Sequence, residues 1–361
     1  MLVVNAGSSS LKLSVLDEGE ELVLSESISS QGGRFDEDAV LQVVRRGGAI
    51  DAVGHRVVHG GTEFLSSVVV DEAVLQRLHA LTDLAPLHQP KSLAGVELVM
   101  RLLPQVPAVA CFDTAFHAGI PAAASTYALP AEWRKRWALR RFGFHGLSHA
   151  YASRRAAELS GRSVDGLRVV TCHLGAGASL AAVESGRSVD TTMGFTPLEG
   201  LVMATRSGSV DPGLVLWLEE HIGMPASELA STLEHRSGLL GLTGASDMKA
   251  ILEAESAGDD DASLGVAVYL HRLRGAIAAM AAAMGGLDAL VFTGGVGERA
   301  ASIRARAAAE LDFLGVVVDA AANESPALDA EIGASEAAVQ TFVVEAREDL
   351  QIARDVRTVL A

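Results

Sequence analysis

Val3-Val4-Asn5-Ala6-Gly7-Ser8-Ser9-Ser10-Leu11 and Val170-Thr171-Cys172-His173-Leu174-Gly175-Ala176-Gly177-Ala178-Ser179-Leu180 share one plan: an apolar run, a turn of small residues, and a second apolar run. An apolar run that stops at Gly and Ser reads as a buried strand entering a hairpin. Two ordinary Gly/Ser hairpins would produce this pair, and so would one hairpin-led domain present twice. Outward from these stretches, short apolar runs alternate with longer segments of helical period, the pattern of an α/β protein. Strands are expected over Leu2–Val4, Ala52–Val58, Val106–Phe112, Val169–Cys172 and Ala289–Phe292. Helices are expected over Asp71–Thr82, Ser148–Leu159, Pro212–His221, Leu264–Met284, Ala300–Leu311 and Asp349–Leu360.

With 361 residues, 49% of them hydrophobic, the chain can bury two cores of ordinary domain size, so two domains and a cleft are expected. The formal charge of -16 leaves no basic footprint for nucleic acid or an anionic membrane. An anionic substrate must therefore be met by a few local cations. Cys111 and Cys172 each sit in an apolar run, which fits reduced core thiols in a cytoplasmic setting better than a disulfide. Met1-Leu2-Val3-Val4-Asn5 lacks the basic start of a signal peptide and reads as a strand. The most apolar stretch, Ala276 to Phe292, is split by Gly285-Gly286 and carries Asp288, so it reads as a buried helix and strand rather than a membrane span.

Several segments carry chemistry. The first Gly/Ser turn offers backbone N–H groups and hydroxyls, with Lys12 just beyond, which suits phosphate oxygens as well as a plain hairpin. Neither a GxxxxGK[ST] segment nor a strand–GxGxxG–helix unit occurs, which argues against a P-loop NTPase and a dinucleotide-binding dehydrogenase. In Gly54-His55-Arg56-Val57-Val58-His59-Gly60-Gly61, strand alternation sets Arg56 and Val58 on one face and His55, Val57 and His59 on the other. A guanidinium beside an apolar side chain is what a short carboxylic acid requires, although an edge strand with its Arg in solvent reads the same way. The run Val106–Phe112 ends in Asp113. A carboxylate there lies where open α/β sheets bind ligands and can hold Mg²⁺, or it is a simple turn residue. Arg140-Arg141-Phe142-Gly143-Phe144-His145-Gly146 places His145 among glycines just before an expected helix, as an anion donor or as a structural turn His. The irregular stretch from Met193 to Gly208 holds Pro197, a rigid apolar wall, and Arg206, a second anion clamp. Thr293-Gly294-Gly295-Val296-Gly297-Glu298 ends one strand and opens a helix, permitting close backbone approach to a nucleotide.

Together these segments resemble the acetate kinase family, within the acetate and sugar kinase, Hsp70 and actin superfamily. The likeness runs from Val3 to about Arg354 through Asn-Ala-Gly-Ser-Ser-Ser-Leu-Lys, His-Arg-Val-Val-His-Gly-Gly, Phe-Asp-Thr-Ala-Phe-His, Gly-Phe-His-Gly, His-Leu-Gly-x-Gly, Asp-Thr-Thr-Met-Gly-Phe-Thr-Pro-Leu-Glu-Gly and Thr-Arg-Ser-Gly. It implies an α/β fold of two duplicated ribonuclease H-like (actin-like ATPase) domains flanking an active-site cleft. The first would comprise residues 1–118 plus 349–361 and the second 119–348, with nucleotide binding and homodimer formation in the second. It implies reversible transfer of the ATP γ-phosphoryl group to acetate, with Mg²⁺ or Mn²⁺ and without a membrane or nucleic-acid partner.

Residue by residue, the resemblance puts Asn5, Ser8, Ser10 and Lys12 at the phosphate end of the site. Arg56 and Arg206 match the catalytic arginines, and His145 matches the transition-state histidine. Asp113 is implied as catalytic and, with Glu348 and Asn5, as metal-associated. Val58, Leu87 and Pro197 match the methyl pocket. His173, Gly175 and Gly177 belong to the second phosphate turn, Asp247, Met248 and Lys249 to the adenosine side, and Gly295 and Gly297 to the nucleotide turn. The chain departs from the family pattern at Ala176, Lys249, Ser209 and Arg299, where Asn, Arg, Asp and Asn are usual. The alternatives are a propionate or butyrate kinase, a pyrophosphate-using relative, and a non-catalytic nucleotide switch of the actin or Hsp70 type.

Overall fold

The parallel pairing of Leu2–Ala6 (β1) with Val53–Val57 (β4), and of β4 with Ala108–Phe112 (β6), forms the centre of a first sheet. Ser10–Leu16 (β2) and Leu22–Ser29 (β3) extend it antiparallel on one side, and Val68–Val69 (β5) closes the other, giving the order β3-β2-β1-β4-β6-β5. This computed structural model describes residues 1–7, 10–29, 35–85, 89–324 and 326–361. The central strands are Val- and Ala-rich and buried on both faces, as parallel strands under helices must be. On one face Leu2, Val4, Leu13, Val53 and Val57 join Leu93, Val96 and Val99 of the helix Gln89–Leu102. On the other, Val3, Val109 and Cys111 meet Ile352, Ala353 and Val356 of the helix Glu348–Leu360.

The second sheet repeats the first. Arg168–Leu174 (β7), Ala178–Glu184 (β8), Arg187–Thr191 (β9), Ala289–Thr293 (β10), Ala330–Glu331 (β11) and Gln340–Val343 (β12) form the order β11-β12-β10-β7-β8-β9. Reading β7 to β12 as β1 to β6 reproduces every neighbour and every parallel or antiparallel sense. Even the register break between β2 and β3 recurs between β8 and β9. The same registers that pair Asn5 with Arg56 pair His173 with Thr293. The duplicated hairpin reading of the two Gly-containing turns is thus the architecture of the chain.

The chain divides into two compact units, one of residues 1–118, 144–151 and 347–361, the other of 119–143 and 152–346. In this division two further segments, Phe144–Tyr151 with His145 and the pair Arg347 and Glu348, group with the first unit. The Gly146 N–H ties the first of these to the Asp113 carbonyl at 3.1 Å, and Asn5 Nδ2 holds the second through Glu348 at 2.9 Å. All five expected strands and all six expected helices are present, with ends shifted by a few residues.

Candidate active site

In the first unit, Asn5, Arg56 and Asp113 lie at the carboxyl ends of β1, β4 and β6, where an open parallel sheet presents its ligand site. The Asp113 backbone N–H still bonds the Val57 carbonyl at 3.1 Å, so the carboxylate is fixed one residue beyond the ladder. Arg56 grips it with two nitrogens: Nη2 donates to Oδ2 at 2.6 Å and Nε to Oδ1 at 3.1 Å. Arg56 Nη1 donates to Asn5 Oδ1 at 3.2 Å and lies 3.5 Å from Glu348 Oε2, which accepts from Asn5 Nδ2 at 2.9 Å. Arg56, Asn5 and Glu348 therefore close a polar ring, and Asp113 holds Arg56 from beside it.

Burial works downward on the Arg56 pKa, and the neighbouring Asp113 and Glu348 charges more than offset it, holding the guanidinium above its ordinary value. For Asp113, burial raises the pKa and the Arg56 contact opposes that rise. The bidentate geometry identifies the pair as guanidinium and carboxylate.

His145 adopts a left-handed backbone, φ 55°, two residues after Gly143 at φ 76°. A non-Gly residue there is held by its surroundings. The restraint is visible: its N–H donates to the Asp113 carboxylate, and its carbonyl accepts from His149 N–H at 2.9 Å. An added Cβ at Gly146 would meet the Asp113 carbonyl, so only glycine permits this approach. Arg56, Asp113, Asn5, Glu348 and the His145 backbone thus share one site. Val58, the residue after β4, is buried. Lys12 pairs with Asn5 across the β1–β2 hairpin and is exposed, and Ser10 begins β2. Ser8 and Leu87 lie outside the described residues.

The oxygen donors Asp113, Glu348 and Asn5 have the hard character that Mg²⁺ takes, and Mg²⁺ needs only one or two carboxylates when phosphate and water complete its shell. Among the described residues no group of three His, Cys, Asp or Glu side chains could enclose a metal. The two-carboxylate set fits an ion that arrives with its nucleotide.

In the second unit, Gly175, Ala176, Asp247, Met248, Lys249, Gly295 and Arg299 line a cavity of about 810 Å³, within the range of small-molecule sites. Three positions expected beside the nucleotide stand apart from its lining: His173 is within β7, the Gly177 carbonyl accepts from Gly175 N–H at 3.0 Å, and Gly297 packs on the end of β10. Asp247 also caps the helix Met248–Ser256, accepting from Ala250 N–H at 3.1 Å. Arg206 Nη1 donates to the Pro197 carbonyl at 3.2 Å, and its Nε lies 3.7 Å from Glu234, so the expected arginine and proline are neighbours. Burial lowers the Arg206 pKa against the pull of Glu234.

Three supports of this loop escaped the sequence reading. Tyr127 Oη donates to Glu199 Oε2 at 2.6 Å, Arg141 Nη2 donates to Glu199 Oε1 at 2.6 Å, and Arg141 Nη1 bonds the carbonyls of Thr191, Thr192 and Met193. Arg141 belongs to the stretch Arg140–Gly146, but these side-chain partners lie more than 45 residues away, and no local spacing reveals them.

A duplicated actin-like ATPase fold, with a guanidinium–carboxylate pair in one half and a cavity bearing Gly175 and Gly295 in the other, is the frame of a phosphotransferase class. The chain belongs to the acetokinase family, whose model matches residues 34–354. It is 43% identical over 396 residues to the acetate kinase of Thermotoga maritima, covering 100% of this chain and 98% of that protein. Among solved structures it resembles the acetate kinase of Porphyromonas gingivalis, at TM-score 0.92 and 36% identity, over 100% of this chain and 99% of that one. A propionate kinase from Francisella tularensis matches as well, at TM-score 0.92 and 33% identity, over 99% of each chain. The enzyme is therefore a nucleotide-dependent carboxylate kinase, and the non-catalytic switch is set aside.

Proposed function

We propose that this chain transfers the γ-phosphoryl group of ATP to acetate, reversibly, giving acetyl phosphate and ADP. The observation that carries the reading is the Arg56 guanidinium, fixed by Asp113 at the strand ends and followed two residues later by Val58. A carboxylate oxygen attacks the γ-phosphorus while the bond to the β-γ bridging oxygen breaks, and ADP takes the electron pair. Carboxylate and nucleotide charges balance without a net proton, so no general base is required. The transition state spreads negative charge over the phosphoryl oxygens, and catalysis rests on positioning and fixed positive groups.

In this reading Arg56, Arg206 and the His145 side chain meet that charge, and Asp113 holds Arg56 in register. Asn5, Asp113 and Glu348 would hold Mg²⁺, which supplies charge neutralisation of the phosphates. Val58, Leu87 and Pro197 receive the methyl group. Ser8, Ser10, Lys12, His173 and Gly177 serve the phosphates, and the 810 Å³ cavity takes the nucleoside.

The overall likeness to both an acetate and a propionate kinase keeps propionate as the second reading, since one methylene in an apolar pocket is worth only about 1–3 kcal/mol. Trapping acyl phosphate with hydroxylamine decides, run with formate, acetate, propionate and butyrate against ATP and against pyrophosphate. Acetate with ATP should give the highest kcat/KM; no acyl hydroxamate from any acid would end the proposal. A homodimer formed through the second unit belongs to the same reading, supported by the helix Pro212–Ile222, which buries none of its residues and exposes Leu214, Leu216, Trp217 and Ile222. Sedimentation would test it. A cytoplasmic setting is supported by Cys111 and Cys172, both free and buried. Among the described residues no helix is long and apolar enough to cross a membrane.

A further inference from the structure

Gln89 has no part in the chemistry described so far, yet its side chain is fully buried at the start of the helix Gln89–Leu102. A buried carboxamide is costly unless hydrogen-bonded, and an apolar residue of its volume would serve packing alone. Both ends of this one address a single residue. Gln89 Oε1 accepts from the His59 N–H at 3.3 Å, and Gln89 Nε2 donates to the His59 carbonyl at 3.1 Å.

The reason lies in the strand. β4 ends at Val57, so the backbone polar groups of His59 fall beyond the ladder and need other partners. A carboxamide carries the same donor and acceptor as a peptide group, and Gln89 acts as one more rung. The turn is tied from its far side too. The Gly60 N–H donates to Thr114 Oγ1 at 3.0 Å, and the Gly61 N–H donates to His59 Nδ1 at 2.8 Å. Thr114 directly follows Asp113, so the same carboxylate-bearing segment anchors the turn. Val58 is the one residue between the last strand position and this clamp.

We propose that Gln89 is a positioning residue for acyl-chain selection: by clamping the His59 backbone it fixes Val58 as a rigid wall at the alkyl end of the carboxylate. The inference rests on the carboxylate kinase reading of the Arg56 site. A wall that can retreat by a fraction of an ångström admits a further methylene, whose exclusion in a rigid pocket is worth roughly 10–200-fold. Nucleotide binding, by contrast, does not depend on it.

The test compares the wild type with Gln89→Met, which keeps the side-chain length and removes both hydrogen bonds, and with Gln89→Glu, which keeps the acceptor and, where its carboxyl is ionised, loses the donor. For each, kcat and KM are measured for acetate, propionate and ATP, alongside the thermal midpoint. Gln89→Met should lower the acetate-to-propionate ratio of kcat/KM by on the order of tenfold, within the range that one methylene controls, with KM for ATP unchanged. Gln89→Glu should shift the ratio less and in the same direction. Val58→Ala should lower the ratio by itself, and adding Gln89→Met to it should lower it no further. A wild-type ratio in either folded variant, with only the thermal midpoint reduced, makes Gln89 a structural residue and overturns the inference. If the wild type traps no acyl phosphate from any acid, both the carboxylate reading and this one fall. If it phosphorylates acetate and the variants keep its selectivity, only the positioning role fails.

Discussion

Asp113 is 1% exposed, and both its oxygens are taken by Arg56. Removing one partner from a buried pair typically costs about 3–5 kcal/mol when the other charge is left alone, and because Glu348 at 3.5 Å still faces Arg56 the lower end of that range applies. Asp113→Ala should lower stability by that order in denaturant unfolding, beyond its loss of activity. An equally stable variant would contradict the pair. Arg206→Ala should reduce kcat by on the order of 10²-fold if the guanidinium meets charge that develops only in the transition state, and near-normal kcat in steady-state assays would remove it from that role. The first unit also buries His55, His59 and His117, whose pKa values fall from 6.5 to about 3, 4 and 4, in each case mainly through burial. The folded values lie below the unfolded one, so the unfolded chain takes up protons first. The contribution of these histidines is complete above pH 6.5 and is lost as pH falls from there toward 4 and 3. Thermal midpoints measured across that range should fall steeply, and His55→Phe should flatten the slope; an unchanged slope would show that His55 does not contribute.

At the scale of elements, the buried strands were the most legible. β1, β6, β7 and β10 are rich in short apolar runs because both faces are covered, and that composition survives without context. Leu22–Ser29 is harder to read because it is an edge strand whose residues are exposed or half-buried and whose apolar start runs into Ser25, Glu26 and Ser27. Arg56 and Asp113 could be nominated from their places at strand ends, whereas their 2.6 Å contact depends on the parallel register of β4 and β6, which no local spacing encodes. Gln89 was equally opaque: its partner lies 30 residues away, in a turn whose backbone needs appear only once β4 is seen to stop. The helix Glu348–Leu360 makes its own demand, because a Cβ at Gly54 would collide with Ile352 and Val356. Gly54→Val should therefore overpack this contact and destabilise by about 1–3 kcal/mol in chemical denaturation. A neutral result would mean that the helix shifts freely on the sheet.

For the molecule as a whole, one strand order occurs twice while its chemistry has diverged: the register that carries Asn5 and Arg56 in the first sheet carries His173 and Thr293 in the second. The repeat was legible because the hairpin turns kept their small residues, whereas the divergence appears only once the sheets are aligned. The first unit is assembled from three separated stretches, and its second hydrophobic cluster is complete only when Ile352, Ala353 and Val356 cover Val3, Val109 and Cys111. That patchwork has a consequence for biosynthesis. A ribosome makes residues 152–346 before it makes 347–361, so the nascent first sheet waits with one greasy face bare while the later-encoded half can already collapse. For that interval a chaperone, rather than the protein's own helix, is the natural cover for Val3 and Val109.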